Sequence, residues 1–173
     1  ANDAEKDYSW RKDANTPAPI KIKSGDSMWF YKRGDKPVTV NVSGNVKYSA
    51  TTKPKITIYP GWNMISAPYA AGLSLNANSQ EYWKTCGAVA YRGQAQADYV
   101  QIWDAESGAY SSTFYYLYVS RNANDAEKDY TWRKDANTLA PAELTKMGQG
   151  IWYYHRGESS FELELSFPYN LGN

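Results

Sequence analysis

Aliphatic side chains are scarce in this chain. Ile, Leu, Val and Phe supply 26 of its 173 residues, about 15%, a level that accompanies disorder when net charge is high. The net charge is only +1, from 19 basic and 18 acidic side chains, so a folded chain is expected. No apolar run approaches the roughly 18 to 20 residues of a membrane-spanning helix, and no stretch reads as a charged n-region followed by an apolar h-region. Acids and bases are interleaved, which leaves no basic footprint for nucleic acid. Cys86 is the only cysteine, which excludes an intramolecular disulfide and a Cys-based metal cage. His155 is the only histidine, so most transition-metal sites and any Ser-His-Asp or Cys-His arrangement would have to run through it. It lies in Tyr153-Tyr154-His155-Arg156-Gly157, with no nucleophile elbow nearby, and reads as a solvent-facing turn residue. No cofactor and no metal is expected, and the chain is read as a non-enzyme.

What the chain has instead is aromatic: 16 Tyr and 7 Trp. Rings bury so much area apiece that they can replace the missing aliphatic volume in a core. So many cannot all be buried, and exposed aromatic patches mark interaction sites.

Residues 1–16 recur at 123–138 with one change, Ser9 to Thr131. The likeness continues more loosely. Pro19 matches Pro141 and, after one inserted residue, Gly25 matches Gly148, Trp29-Phe30-Tyr31 matches Trp152-Tyr153-Tyr154, and Arg33-Gly34-Asp35 matches Arg156-Gly157-Glu158. Val38, Val40 and Val42 then meet Phe161, Leu163 and Leu165. Self-similarity of this kind sets the organisation: residues 1–46 form a partial repeat equivalent to a C-terminal half-unit, 47–54 a polar linker, and 55–173 a complete β-module. The first half of a unit, about 55–122, has no second copy.

Period-two alternation in Ile20-Lys21-Ile22, Val38 to Val42, Ile56-Thr57-Ile58, Val100-Gln101-Ile102 and Phe161 to Leu165 predicts strands. Trp29 to Val42 and Trp152 to Leu165 read as hairpins with tips at Gly34-Asp35 and Gly157-Glu158, and Gln80 to Cys86 as a short helix. The fold class is all-β: a sandwich or barrel of short antiparallel strands with an internal repeat.

Ile58-Tyr59-Pro60-Gly61-Trp62-Asn63-Met64-Ile65-Ser66-Ala67-Pro68, Asp98 to Asp104 with Gly108-Ala109-Tyr110, Trp132, and Gly148-Gln149-Gly150-Ile151-Trp152-Tyr153 follow one another in an order that resembles the Gly/aromatic-rich tandem β-modules of secreted and cell-surface proteins from Verrucomicrobia, Lentisphaerae and Planctomycetes. The resemblance covers about 55–167 once and 1–46 in part. It implies a secreted or cell-surface location and a modular architecture, and brings no catalytic residue.

The repeated block keeps charged and aromatic residues together, either because exposed chemistry was retained or because the duplication is recent. Tyr8, Trp10, Arg11 and Asp13, with their counterparts Tyr130, Trp132, Arg133 and Asp135, are the candidate ligand-binding residues. A ring can stack on the apolar face of a pyranose while Asp and Arg at its edge bond the hydroxyls. Asp3-x-Glu5-x-Asp7 and Asp125-x-Glu127-x-Asp129 alternate oxygen ligands, but lack the Gly and the terminal Glu of an EF-hand loop. The function expected is a carbohydrate-binding or adhesive module whose partner is a polysaccharide or cell-surface glycan. The alternative is a self-assembling structural subunit of a filament or layer, with strand edges of residues 1–46 pairing with neighbouring copies.

Overall fold

The structure is a computed structural model and describes residues 10–13, 15–18, 23–36, 38–39, 53–104, 107–120, 122–166 and 168. In chain order the elements are β1 (Lys55–Ile58), β2 (Gly61–Ser66), α1 (Gln80–Thr85), β3 (Tyr99–Asp104), β4 (Ala109–Tyr118), a 3₁₀ turn (Ala123–Lys128), β5 (Thr131–Arg133), β6 (Gly150–His155) and β7 (Phe161–Glu164). Two antiparallel sheets result, a five-stranded one in the order β2-β6-β3-β4-β5 and a two-stranded one of β1 and β7. The all-β expectation holds, with Gln80–Thr85 as the one α-helix among the described residues. No helix among them is long and apolar enough to cross a membrane.

Alternation decides which ring goes where. Along β6, Ile151, Tyr153 and His155 point inward and are buried, while Trp152 and Tyr154 point out. Val100, Leu117 and Trp132 do the same for β3, β4 and β5. They meet Ile56 and Ile58 of β1, Phe161 and Leu163 of β7, and Leu73, Leu75 and Trp83 of the intervening segment and helix. Four large rings, Trp83, Trp132, Tyr153 and Phe161, run through this core. Trp83 meets Trp132 at 5.2 Å, Trp132 meets Tyr153 at 5.5 Å, and Tyr153 meets Phe161 at 6.3 Å between centroids, all edge to face, the arrangement that ring quadrupoles favour. α1 is held at its start by Ser79, whose hydroxyl accepts from the Tyr82 N–H, and at its core face by the Trp83 indole donating to the Leu75 carbonyl at 3.0 Å.

One predicted hairpin is absent. β6 pairs with β2 and β3, whereas β7 pairs with β1, so residues 156–160 form a corner between sheets and not a hairpin tip. Asp98 makes that corner. Fully buried, it accepts from the Arg156 N–H at 2.7 Å on one carboxylate oxygen, and on the other it meets the Tyr153 hydroxyl at 2.9 Å and His155 Nδ1 at 2.8 Å. His155 Nε2 lies 2.9 Å from the Ser159 carbonyl. The expectation of a solvent-facing His155 is thus overturned: its ring is buried, with acceptors at both nitrogens. Gly157 is required by close approach, because a Cβ there would lie 2.5 Å from the imidazole.

The leading segment is bound to the module's first strands. Ser66 donates its N–H to the Gly25 carbonyl and its hydroxyl to the Asp26 carbonyl, both at 2.9 Å, and Ser24 donates to the Pro68 carbonyl. Asp26 bridges Ile65 at the end of β2. No strand forms over 29–36 or 38–39, where a hairpin was expected; Val40 to Val42 and Ile20 to Ile22 lie outside the described residues.

Removing Asp98 takes the partner from the Tyr153 hydroxyl, His155 Nδ1 and the Arg156 N–H at once, and buried groups left unsatisfied cost about 1–3 kcal/mol each, about 3–5 kcal/mol together. Asp98→Ala should lose that much in urea unfolding, against about 1 kcal/mol for Tyr153→Phe, which deletes one hydrogen bond; equal costs would remove Asp98 from its central place. Alkali probes the same core. Burial pushes the Tyr82 phenol up to about 12 and Tyr153 well above its usual value. The folded state then holds protons that the unfolded chain releases above about pH 10. Stability should be complete below pH 10 and fall as pH rises toward 12, read from circular dichroism against tyrosinate absorbance.

Candidate carbohydrate-binding face

The outward residues of the five-stranded sheet are mostly rings. The pairing register aligns Trp62 of β2 with Tyr154 of β6, Tyr154 with Tyr99 of β3, Tyr99 with Tyr116 of β4, and Tyr116 with Arg133 of β5, a single row across all five strands. Beside it runs a second row, Met64, Trp152, Gln101 and Phe114. A register irregularity between Gln101 and Trp103 then brings Trp103 opposite Tyr110. Cross-strand pairs of this kind stabilise a sheet by themselves.

The rings brace one another edge to face. Trp62 lies 4.9 Å from Tyr154 and 5.8 Å from Trp152. Trp103 lies 4.8 Å from Tyr110 and 4.5 Å from Trp29, which reaches in from the leading segment. Tyr99 and Tyr154 are the exception, stacked within 19° of parallel, and the Arg156 guanidinium covers Tyr154 at 4.5 Å, a cation–π contact. The Arg156 guanidinium thus covers the middle of the row. Trp62 and Tyr110 remain well exposed.

Between them Trp62, Gln101, Tyr110 and Trp152 line a shallow groove of about 280 Å³. A second hollow of about 140 Å³ continues from Trp152 past Gly150, Gln149 and Trp103 to Ser27, Met28 and Trp29. Polar groups are few and fixed. Trp152 Nε1 donates to the Tyr110 hydroxyl at 2.6 Å, which leaves the phenol its own proton to donate. Gln101 donates Nε2 to the Ser111 carbonyl at 3.1 Å, with Oε1 as the amide's remaining acceptor. Gln149 donates to the Trp103 carbonyl, tying the groove wall to β3. Apolar walls with a few oriented polar groups suit a small or extended ligand with both flat apolar and hydroxyl-bearing surfaces.

The residues expected to bind lie elsewhere. Trp132 is fully buried between Trp83 and Tyr153, so it is a core residue and no stacking platform. Arg133 is buried at the far end of the aromatic row, with Nε donating to the Thr131 hydroxyl. Tyr130 is half-buried with φ of 52°. Asp135 is a turn residue: its carboxylate accepts from the Asn137 and Thr138 N–H groups at 2.9 Å, and the Asn137 bond, first of these, holds its pKa below the ordinary value. Asp13 does the same with Asn15 and Thr16. Trp10 is exposed and Arg11 partly so, but neither lines the groove. Tyr8 lies outside the described residues.

The acidic alternation at 125–129 is also structural. Asp125 pairs with Lys128 at 3.1 Å, and Asp129 accepts from the Ser120 N–H. No group of His, Cys, Asp or Glu among the described residues is placed to hold a metal. What marks this outer face in the sequence is a strand with rings at both parities, as in Trp152-Tyr153-Tyr154: one parity fills the core and the other faces out. Comparison with protein-family models, with curated proteins and with solved structures finds no match.

Trp132 supplies a stability test. Its indole N–H is buried without an acceptor. Trp132→Ala should cost about 3–5 kcal/mol by opening a cavity, whereas Trp132→Phe, which also removes a donor whose desolvation costs about 1–3 kcal/mol, should cost far less. Thermal unfolding distinguishes them, and a near-neutral Trp132→Ala would return the residue to the surface.

Proposed function

We propose that the chain is a non-enzymatic carbohydrate-binding or adhesive module that engages its ligand on the outer face of the five-stranded sheet. The observation that carries this reading is the pair of ring-lined hollows that share Trp152, one walled by Trp62 and Tyr110 and the other by Trp103 and Trp29. Hydrogen bonds and edge contacts hold its rings in place before any ligand arrives, so little freedom is lost on binding. Faces of pyranoses carry C–H groups that pack on such rings, and the Tyr110 hydroxyl and Gln101 amide lie where hydroxyls would fall. Asp98 and His155, the buried titratable pair, are committed to the corner beneath. The secreted or cell-surface setting that we infer rests on the resemblance to the tandem β-modules. A second reading, a self-assembling structural subunit, draws on the apolar side chains that the leading segment exposes.

Affinity gel electrophoresis against a panel of neutral and acidic polysaccharides tests the first reading, with tryptophan fluorescence as the solution readout. At least one polysaccharide should retard the protein. Central ring anchors are worth about 2 kcal/mol or more, some thirtyfold in affinity, so Trp62→Ala and Trp152→Ala should each weaken retention by that order and Trp10→Ala should not. No retardation across the panel, or retention indifferent to both groove substitutions, would overturn it.

A further inference from the structure

Where the leading copy of the repeated block is described, its backbone bonds match those of the second copy, and its tryptophan differs in burial. At 132–140, Ala140 donates to the Trp132 carbonyl, Lys134 to the Thr138 carbonyl, and Arg133 bridges Leu139. At 10–18, Ala18 donates to the Trp10 carbonyl, Lys12 to the Thr16 carbonyl, and Arg11 bridges Pro17. The following aromatic is placed alike. Trp132 meets Tyr153 at 5.5 Å and 66°, and Trp10 meets Phe30, the counterpart of Tyr153, at 5.7 Å and 73°.

Exposure then diverges. Trp132, Ile151, Tyr153 and Phe161 are 0%, 2%, 0% and 7% exposed, while their counterparts Trp10, Met28, Phe30 and Val38 are 66%, 48%, 45% and 57% exposed. In the complete unit the cover comes from the 55–120 half: Trp83 on Trp132, with Leu73, Leu75 and Val100 in the same cluster. Nothing equivalent covers the leading pair among the described residues, although its own module is attached at 23–27 and through Trp29.

We propose that the exposed apolar surface of Trp10, Phe30 and Val38, with Met28 beside it, docks an open half-unit of the kind built by residues 55–120, one whose own closing segment is missing. The complete copy specifies the fit, since the covering surface must present a Trp83-like ring and Leu73/Leu75-like side chains. Charge agrees as well. His155, which faces the buried Asp98 carboxylate, is replaced in the leading copy by Lys32, a cation suited to the same acid. Exchange with an intact second copy is disfavoured, because Phe30 cannot replace the bond from the Tyr153 hydroxyl to Asp98. Met28 also lines one hollow of the glycan groove, but Trp10, Phe30 and Val38 line neither hollow, so either surface can fail alone.

The test is co-expression of the full chain with an affinity-tagged polypeptide of residues 53–122, which then meets the closing surface as it is made. The tagged half should co-purify with the full chain at one to one. Phe30→Asp in the full chain should lower capture at least tenfold, and so should Val38→Asp, while the unfolding midpoint of the full chain stays unchanged because both side chains are exposed. Purification of the tagged half alone, or its loss to aggregates, overturns the proposal. Capture undiminished by Phe30→Asp does too, since the half would then have displaced residues 123–165 instead.

Discussion

Asp98 is the constraint on which the rest of the arrangement depends. It begins the turn into β3, where its backbone N–H donates to the Val89 carbonyl and its carbonyl accepts from Leu117 of β4. Its carboxylate gathers the end of β6 through Tyr153, His155 and the Arg156 N–H. A buried carboxylate is tolerable only when its oxygens are filled by donors, and here three groups converge on two oxygens. That convergence ends β6 at a fixed residue, turns the chain away from the five-stranded sheet, and delivers Phe161 to the opposite layer beside β1. Since side chains alternate along a strand, fixing Tyr153 and His155 inward also fixes Trp152 and Tyr154 outward. The core corner and the surface groove are two consequences of one register.

The shortage of aliphatic residues explains why both faces are aromatic. With few Ile, Leu and Val to spend on the interior, Trp83, Trp132, Tyr153 and Phe161 fill it. Their large rings touch edge to face across the sandwich. Rings on the outer face are braced in the same geometry but have no second layer above Trp62 and Tyr110. Tyr99 and Tyr116 of that face are nonetheless buried, so the aromatic surface left open to water is concentrated at Trp62 and Tyr110.

Much of this was legible in the sequence. The alternation in Ile56-Thr57-Ile58, Val100-Gln101-Ile102 and Phe161 to Leu165 marks β1, β3 and β7, and the helix expected over Gln80 to Cys86 forms over Gln80–Thr85. The opposition of Trp152 and Tyr154 to Ile151 and Tyr153 is also what the strand shows. The site was less legible, for a physical reason. Trp132 stands among Arg, Lys, Asp and Asn, which suggests a surface ring, but those neighbours are used by the backbone: Asp135 caps its own turn, and Asn76 brackets Trp132 by accepting its N–H and donating to its carbonyl. Local polarity reports on the turn and not on the ring between. Gly157 misled in a similar way, because a glycine needed for close approach to His155 looks the same in sequence as one needed for a hairpin tip.

The two copies of the repeated block separate local from tertiary information. The described residues of 10–18 close a turn with the same hydrogen bonds as 132–140, so those bonds follow from the local residues that the two copies share. Burial does not. Trp132 is enclosed because α1 and the Leu73–Leu75 segment stand over it; Trp10, in an almost identical sequence, is exposed, and among the described residues no such layer covers it. A composition-based reading assigns both tryptophans one fate, since it cannot see which half-unit lies opposite. The difference between the copies is therefore a property of the partner layer, and it makes the exposed pair of Trp10 and Phe30 a surface already shaped for a particular neighbour.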